Sequence, residues 1–351
     1  MKKHFSFFVF LIVLFVFSNS NISMAADDAI TQAQNEAICK AIEFVTADID
    51  SYGLSGVNFD NLQIATAIPA YEYKNGKFIK IREYYPIIDG EHIVATATNV
   101  CNDKYAIETW LAKSIDRVGY NDVALIYDSQ GVYLYNGYDT VLLGYSGIFV
   151  SERDTINLSS EDVTFSEVAT VNITKSTPLG YTESRNQSGP PYYYSCGVSY
   201  VPQFPYSNLC WAATTACIKN YLSGTSLTAG DVSMAYFESS YVYDIGLPTS
   251  SIASFMQSHY SMSYTYGSYV PSNSVLVNNI SNGYPVFGSF LNSSNRHAVT
   301  IYGVNAVMGY ISLMNPTFGV ETGIFNGTTY VFVSSSSGNS FSLDEAICHN
   351  W

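Results

Sequence analysis

Apolar residues recur at three- and four-residue steps through Ala29, Ala33, Ala37, Ile38, Ala41, Ile42 and Val45, with acids and amides between them. That period predicts an amphipathic helix. The pattern then changes to strands at Leu62 to Ile68, Tyr71 to Tyr73, Phe78 to Ile81 and His92 to Thr98. Asn75-Gly76, set between β-formers in Lys74-Asn75-Gly76-Lys77, predicts a tight hairpin. A helix over Lys104 to Arg117 and strands Val123 to Tyr127 and Val132 to Tyr135, joined at Ser129-Gln130-Gly131, complete a small α+β unit with an antiparallel sheet.

Further along, the helices come first. Cys210 to Leu222 reads as a helix with Gly224 at its C-terminal cap, followed by helices at Thr228 to Phe237, Pro248 to His259 and Val275 to Ile280. Asn282-Gly283 stops the last of them. Half-buried strands are then predicted at Pro285 to Leu291, Ala298 to Val304, Tyr310 to Met314 and Thr329 to Ser334. Both halves are therefore α+β.

Composition separates the halves. Hydrophobic residues make up 47% of the 351, enough for sizeable cores, which excludes a disordered chain. Charged residues crowd the stretch from Asp27 to Arg185, whereas Lys219 and Arg296 are the sole basic residues beyond it. The junction, from Pro178-Leu179-Gly180 to Gly189-Pro190-Pro191, has the composition of an exposed, protease-sensitive linker. A net charge of −14 excludes a nucleic-acid partner, whose phosphates demand Lys and Arg clusters.

The first residues bear on location. Lys2 and Lys3 precede an apolar run from Phe5 to Phe17, and Ser23-Met24-Ala25 offers a small-x-small cleavage site. This is the pattern of a signal peptide cut after Ala25, with a run too short to span a bilayer. The expected organisation is a signal peptide over 1–25, an N-terminal unit over 26–185, a linker over 186–194 and a second unit over 195–351. The expected location is extracellular, with no membrane span left after processing. Six cysteines in an exported chain permit disulfides. Cys39 with Cys101 and Cys196 with Cys348 are pairs the sequence leaves open, and Cys217 is expected to be a buried apolar residue.

Cys210 differs from the other cysteines because it opens a predicted helix. Unpaired N–H groups and the helix dipole favour a thiolate there. His297, which opens the strand His297-Ala298-Val299-Thr300-Ile301 after a polar loop, is the candidate base. Asn315, at the end of the next strand, is placed to accept a hydrogen bond from the ring and hold it in orientation. The backbone N–H of Cys210 and the amide of Gln203 are the candidate oxyanion donors. His92 and His259 read as surface residues, and His349 follows Cys348 near the end of the chain. The sequence holds no His-Glu-x-x-His, no Gly-rich phosphate loop and no spaced ligand pairs, so no metal or cofactor is implied.

Gln203, Asn208-Leu209-Cys210-Trp211-Ala212-Ala213, His297-Ala298-Val299 with Gly303, and Asn315-Pro316 stand in an order that resembles the catalytic blocks of the papain-like cysteine peptidases. The resemblance covers roughly residues 195 to 335 and is strongest to compact bacterial members such as the staphopains and the relatives of bacteriocin-leader peptidases. Gly283-Tyr284-Pro285-Val286 is similar to that group as well. Gln203 lies seven positions before Cys210, one more than in papain, and many compact relatives carry Asp where this chain has Asn315. The resemblance implies a helical part packed on an antiparallel, barrel-like sheet, and a cysteine endopeptidase acting on proteins or peptides. It also implies an inhibitory prodomain at 26–185, bound intramolecularly in a monomer. Transglutaminase- or amidase-type acyl transfer on the same residues, or a non-catalytic secreted binding protein of this fold, are the alternatives.

Overall fold

The computed structural model describes residues 30–119, 121–128, 131–145, 148–149, 168–173, 176–179, 193–293, 295–335 and 337–349. The predicted signal peptide and nearly all of the predicted linker lie outside these residues. Among the described residues, no helix is long and apolar enough to cross a membrane. The described residues from Gln32 onward form one compact unit.

In the first half, α1 (Gln32–Thr46) buries Ile38, Ala41, Ile42, Phe44 and Val45, the face its periodicity predicts. The strands β1 (Gln63–Ala65), β2 (Ile68–Lys74), β3 (Lys77–Asp89), β4 (His92–Cys101) and β5 (Lys104–Glu108) follow, then α2 (Trp110–Val118). Next come β6 (Asp122–Tyr127), β7 (Gly131–Tyr135), β8 (Thr140–Tyr145), β9 (Ile148–Phe149), β10 (Val171–Asn172) and β11 (Ser176–Pro178). These strands make one eleven-stranded sheet. The β2–β3 turn places Asn75 at φ 53° and Gly76 at φ 75°, the double left-handed geometry that Asn-Gly favours in a two-residue hairpin.

Two expectations are corrected here. Lys104 to Glu108 is a strand, because Asn102 and Asp103 both turn with positive φ and fold the segment back onto β4. The helix starts only at Trp110. The sheet is also not wholly antiparallel: β2 pairs with β6 in parallel, the intervening chain serving as the crossover.

The second half opens with β12 (Tyr193–Ser195) and the helices α3 (Cys210–Ser223), α4 (Ala229–Tyr236) and α5 (Thr249–Ser258). Gly224 caps α3 at φ 64°, and Thr228 with Asp231 forms a capping box at α4. After β13 (Thr265–Gly267) and α6 (Asn273–Ser281) come β14 (Val286–Leu291), β15 (Arg296–Asn305), β16 (Tyr310–Asn315), β17 (Gly319–Phe325), β18 (Tyr330–Val333) and β19 (Ser340–Cys348). The pairing runs β15-β14-β19-β18-β17-β16 and returns from β16 to β15, closing a six-stranded antiparallel barrel. The buried face of α3, including Trp211, Ala212 and Ala216, shares one apolar core with Val299 and Ile301 of β15. This packing sets the start of α3 against the start of β15.

The halves meet along β16, β17 and the turn after β16. Phe44 stacks on Tyr310 with ring centres 5.0 Å apart, and Trp110 packs on Phe318 at 4.8 Å. The Tyr52 hydroxyl lies 3.0 Å from Thr322 Oγ1, and the Ser335 hydroxyl lies 2.7 Å from Glu108 Oε2. All six cysteines are free thiols in this structure.

Candidate active site

Cys210 is the first residue of α3 and half-buried at a cleft of about 1470 Å³. No side chain caps this helix end, so the sulfur itself meets the unpaired groups of the first turn. The N–H groups of Trp211 and Ala298 donate to it, and His297 is hydrogen-bonded to it. Burial pushes the thiol up, but the hydrogen bond and charge of His297, with the two N–H donors, outweigh burial and hold it below its ordinary value. Elsewhere burial wins. The thiols of Cys196 and Cys217 are pushed up to about 11 and that of Cys348 to about 12.

His297 sits near the start of β15, whose end is pinned by Arg296. The Arg296 guanidinium pairs with Asp344 and Glu345, each at 2.7 Å. Nε2 of His297 lies 2.9 Å from Asn315 Oδ1, which leaves Nδ1 as the ring nitrogen for the thiol. Burial favours the neutral imidazole. The hydrogen bond and charge of Cys210, the hydrogen bond to Asn315 and the charge of Glu321 outweigh that, and the imidazole is raised above its ordinary value. A lowered thiol beside a raised imidazole is the condition for a thiolate–imidazolium pair.

Asn315 ends β16 and is fully buried behind His297. Its Oδ1 also accepts the Thr317 N–H at 2.9 Å, and its Nδ2 donates to Glu321 Oε2 at 2.8 Å. Gln203 lines the same cleft as Cys210 and His297. Its backbone N–H donates to Pro316 O at 3.0 Å, tying the loop before α3 to the turn after β16. Its side-chain Nε2 lies 3.3 Å from the carbonyl oxygens of both Tyr206 and Ser207.

Thus the structure brings Cys210, His297 and Asn315 into one hydrogen-bonded line, with Gln203 in the adjoining wall. His92 is exposed and 3.2 Å from Asp116, His259 is exposed, and His349 stacks on Tyr284. None of the three joins the line. Among the described residues, no group of His, Cys, Asp and Glu is arranged to hold a metal ion.

Residues 195–330 match the model of a family described as papain-like cysteine protease AvrRpt2. Over this span the chain is similar to the papain-like cysteine peptidases, which supports a cysteine-type peptidase. No curated protein matches the chain. Residues outside the matched span also line the cleft: Glu72, Lys74 and Asn75 of the first hairpin and Asp128 after β6 join Cys210 and His297 there.

Two acids of the peptidase part escape motif reading. Asp244 accepts the backbone N–H groups of Ser207 at 2.9 Å and Asn208 at 2.6 Å, so it anchors the loop that delivers Cys210. Beside it, the indole N–H of Trp211 donates to Ile245 O at 2.8 Å. Glu321, the partner of Asn315, is the other. Their one signal is scarcity, since few acids occur after residue 186. Asp244→Ala is expected to loosen this loop and lower kcat/KM for a peptide by about 10- to 100-fold through misplacement of the nucleophile. Steady-state kinetics of the variant checks this.

Proposed function

We propose that the protein is a secreted cysteine endopeptidase made as a zymogen, with Cys210 as nucleophile, His297 as acid and base, Asn315 as the group orienting the ring, and Gln203 as an oxyanion donor. The observation that carries this reading is the hydrogen-bonded Cys210–His297–Asn315 line opening onto a cleft. The Cys210 thiolate attacks a peptide carbonyl carbon, forming a C–S bond and a tetrahedral oxyanion. The Cys210 backbone N–H and the Gln203 amide serve as its donors. His297 gives its proton to the leaving amine as the C–N bond breaks, which leaves an acyl-enzyme. Water, deprotonated by His297, attacks the acyl carbon, and the C–S bond breaks to return the thiolate.

The extracellular and zymogen parts of the reading draw on the apolar leader, on the change of composition near residue 186 and on the first-half residues along the cleft. In this reading residues 26–185 restrain the peptidase and cleavage within 186–194 releases it.

Incubation of the secreted protein with a peptide pool is expected to create new N-termini. Ammonia release or cross-linked products without new N-termini would replace peptidase with amidase or transglutaminase chemistry. N-terminal sequencing of the active secreted protein is expected to start between Arg185 and Tyr194, and that of its Cys210→Ala form at Ala26. An active protein that still begins at Ala26 would remove the zymogen claim.

A further inference from the structure

Asn315 can hold His297 only if its amide faces one way round. With Oδ1 toward Nε2, the NH2 group points into a fully buried region, where it needs an acceptor. Turned over, the amide would aim hydrogen at an imidazolium N–H and cancel the interaction. Glu321 decides between the two orientations. Its Oε2 takes the Asn315 Nδ2–H at 2.8 Å, and an ionised carboxylate accepts but cannot donate. The acceptor therefore selects the orientation that presents Oδ1 to the ring.

That role requires Glu321 to be ionised while only 1% exposed, and the surroundings account for how. Glu321 Oε1 accepts the Ser335 N–H at 3.0 Å and lies 3.1 Å from the Ser335 hydroxyl. The same hydroxyl lies 2.7 Å from Oε2 of Glu108, which is 2% exposed and belongs to the first half. One hydroxyl hydrogen cannot serve two carboxylates. Glu321 has three donors around it, whereas Glu108 has the shared hydroxyl and an Oε1 without a partner. A proton on Glu108 resolves the count: Glu108 donates to Ser335 Oγ, and Ser335 donates to Glu321.

We propose that Glu321 is a positioning residue of this site, acting on His297 through Asn315, and that Glu108 of the first half carries the proton that lets Glu321 keep its charge. The proposal rests on the Cys210–His297 reading but not on peptide being the substrate. Burial and the charge of Glu321 push the Glu108 carboxyl up to about 8, against the Ser335 hydrogen bond and Arg82. Glu321 is raised by burial too, opposed by its donors and by the charge of His297. The other ionisable groups facing this cluster are Tyr84 and Tyr127, on the Glu108 side, and Tyr52, on the Glu321 side.

The test is an NMR titration of His297 in the full chain carrying Cys210→Ala, which keeps the readout independent of any substrate. Adding Glu321→Gln removes the charge and supplies a side chain that can donate as well as accept. The His297 pKa is expected to fall by about 1 unit. Glu108→Gln mimics the protonated acid and is expected to leave it in place. No change with Glu321→Gln, or an equal fall with Glu108→Gln, overturns the proposal. Should Glu321→Gln fail to fold, Glu108→Gln alone still decides where the charge sits. Failure of the Cys210 protein to cleave peptides would end the functional reading and leave this titration to settle its own question.

Discussion

Replacing Cys210 with alanine is expected to lower kcat/KM for a cleaved peptide by about 10^5-fold or more. No other thiol in the described part of this half can substitute. Cys196, Cys217 and Cys348 are buried and pushed up to about 11, 11 and 12, so at neutral pH each stays protonated and out of reach. The fold should survive, because the change removes one half-buried sulfur and leaves the packed face of α3 intact. Stability is expected to stay within about 1 kcal/mol of the parent. Kinetics with a fluorogenic peptide and a thermal melt of the same samples measure both. A residual rate within about 100-fold of the parent would place the nucleophile elsewhere.

Glu108→Gln is expected to stabilise the protein at alkaline pH. The carboxyl titrates near 4.5 in an unfolded chain and at about 8 when folded. Below the lower value both states are protonated, and the group is neutral with respect to folding. As pH rises from there toward 8, the unfolded chain releases its proton while the folded one retains it, so stability falls by up to about 1.4 kcal/mol per pH unit. Glutamine carries no such slope. Part of the shift is mutual repulsion with Glu321, so the gain at pH 8 is set below the full product, on the order of 3 kcal/mol. Near pH 4 it should vanish. Urea unfolding of both proteins across this range checks the sign. A variant less stable than the parent at pH 8 would mean that Glu108 is ionised and well satisfied in the fold.

Much of this architecture was legible in local pattern. Asn75-Gly76 marked a hairpin because its backbone geometry requires those residues, and Gly224 marked a helix end for a similar reason. Cys210, His297 and Asn315 could be expected to lie together because each stands at the start or end of a periodic segment and because their order resembles that of the papain-like peptidases. The strand Gly319–Phe325 was not foreseen. Its two glycines interrupt the alternation, and at Gly323 a Cβ would sit 2.6 Å from Ile311 Cγ1, so close packing had replaced the apolar side chain that pattern reading needs. Glu321 was hidden with that strand. Glu108 was hidden differently: the Lys104–Glu108 stretch read as the start of a helix, and only its pairing with β4 and its burial beside the barrel give its carboxyl a partner more than two hundred residues away.

Closure of the barrel has a consequence for motion. His297 and Asn315 belong to neighbouring strands of a ring in which every member is hydrogen-bonded on both sides. Such a ring has no edge from which to fray, and a one-residue slip would have to propagate around all six strands. Amide hydrogens of β15 and β16 are therefore expected to be among the slowest in the molecule to exchange with deuterated solvent. Adjustment to admit a polypeptide is expected instead in cleft-lining segments outside that ring, such as the hairpin tip at Asn75.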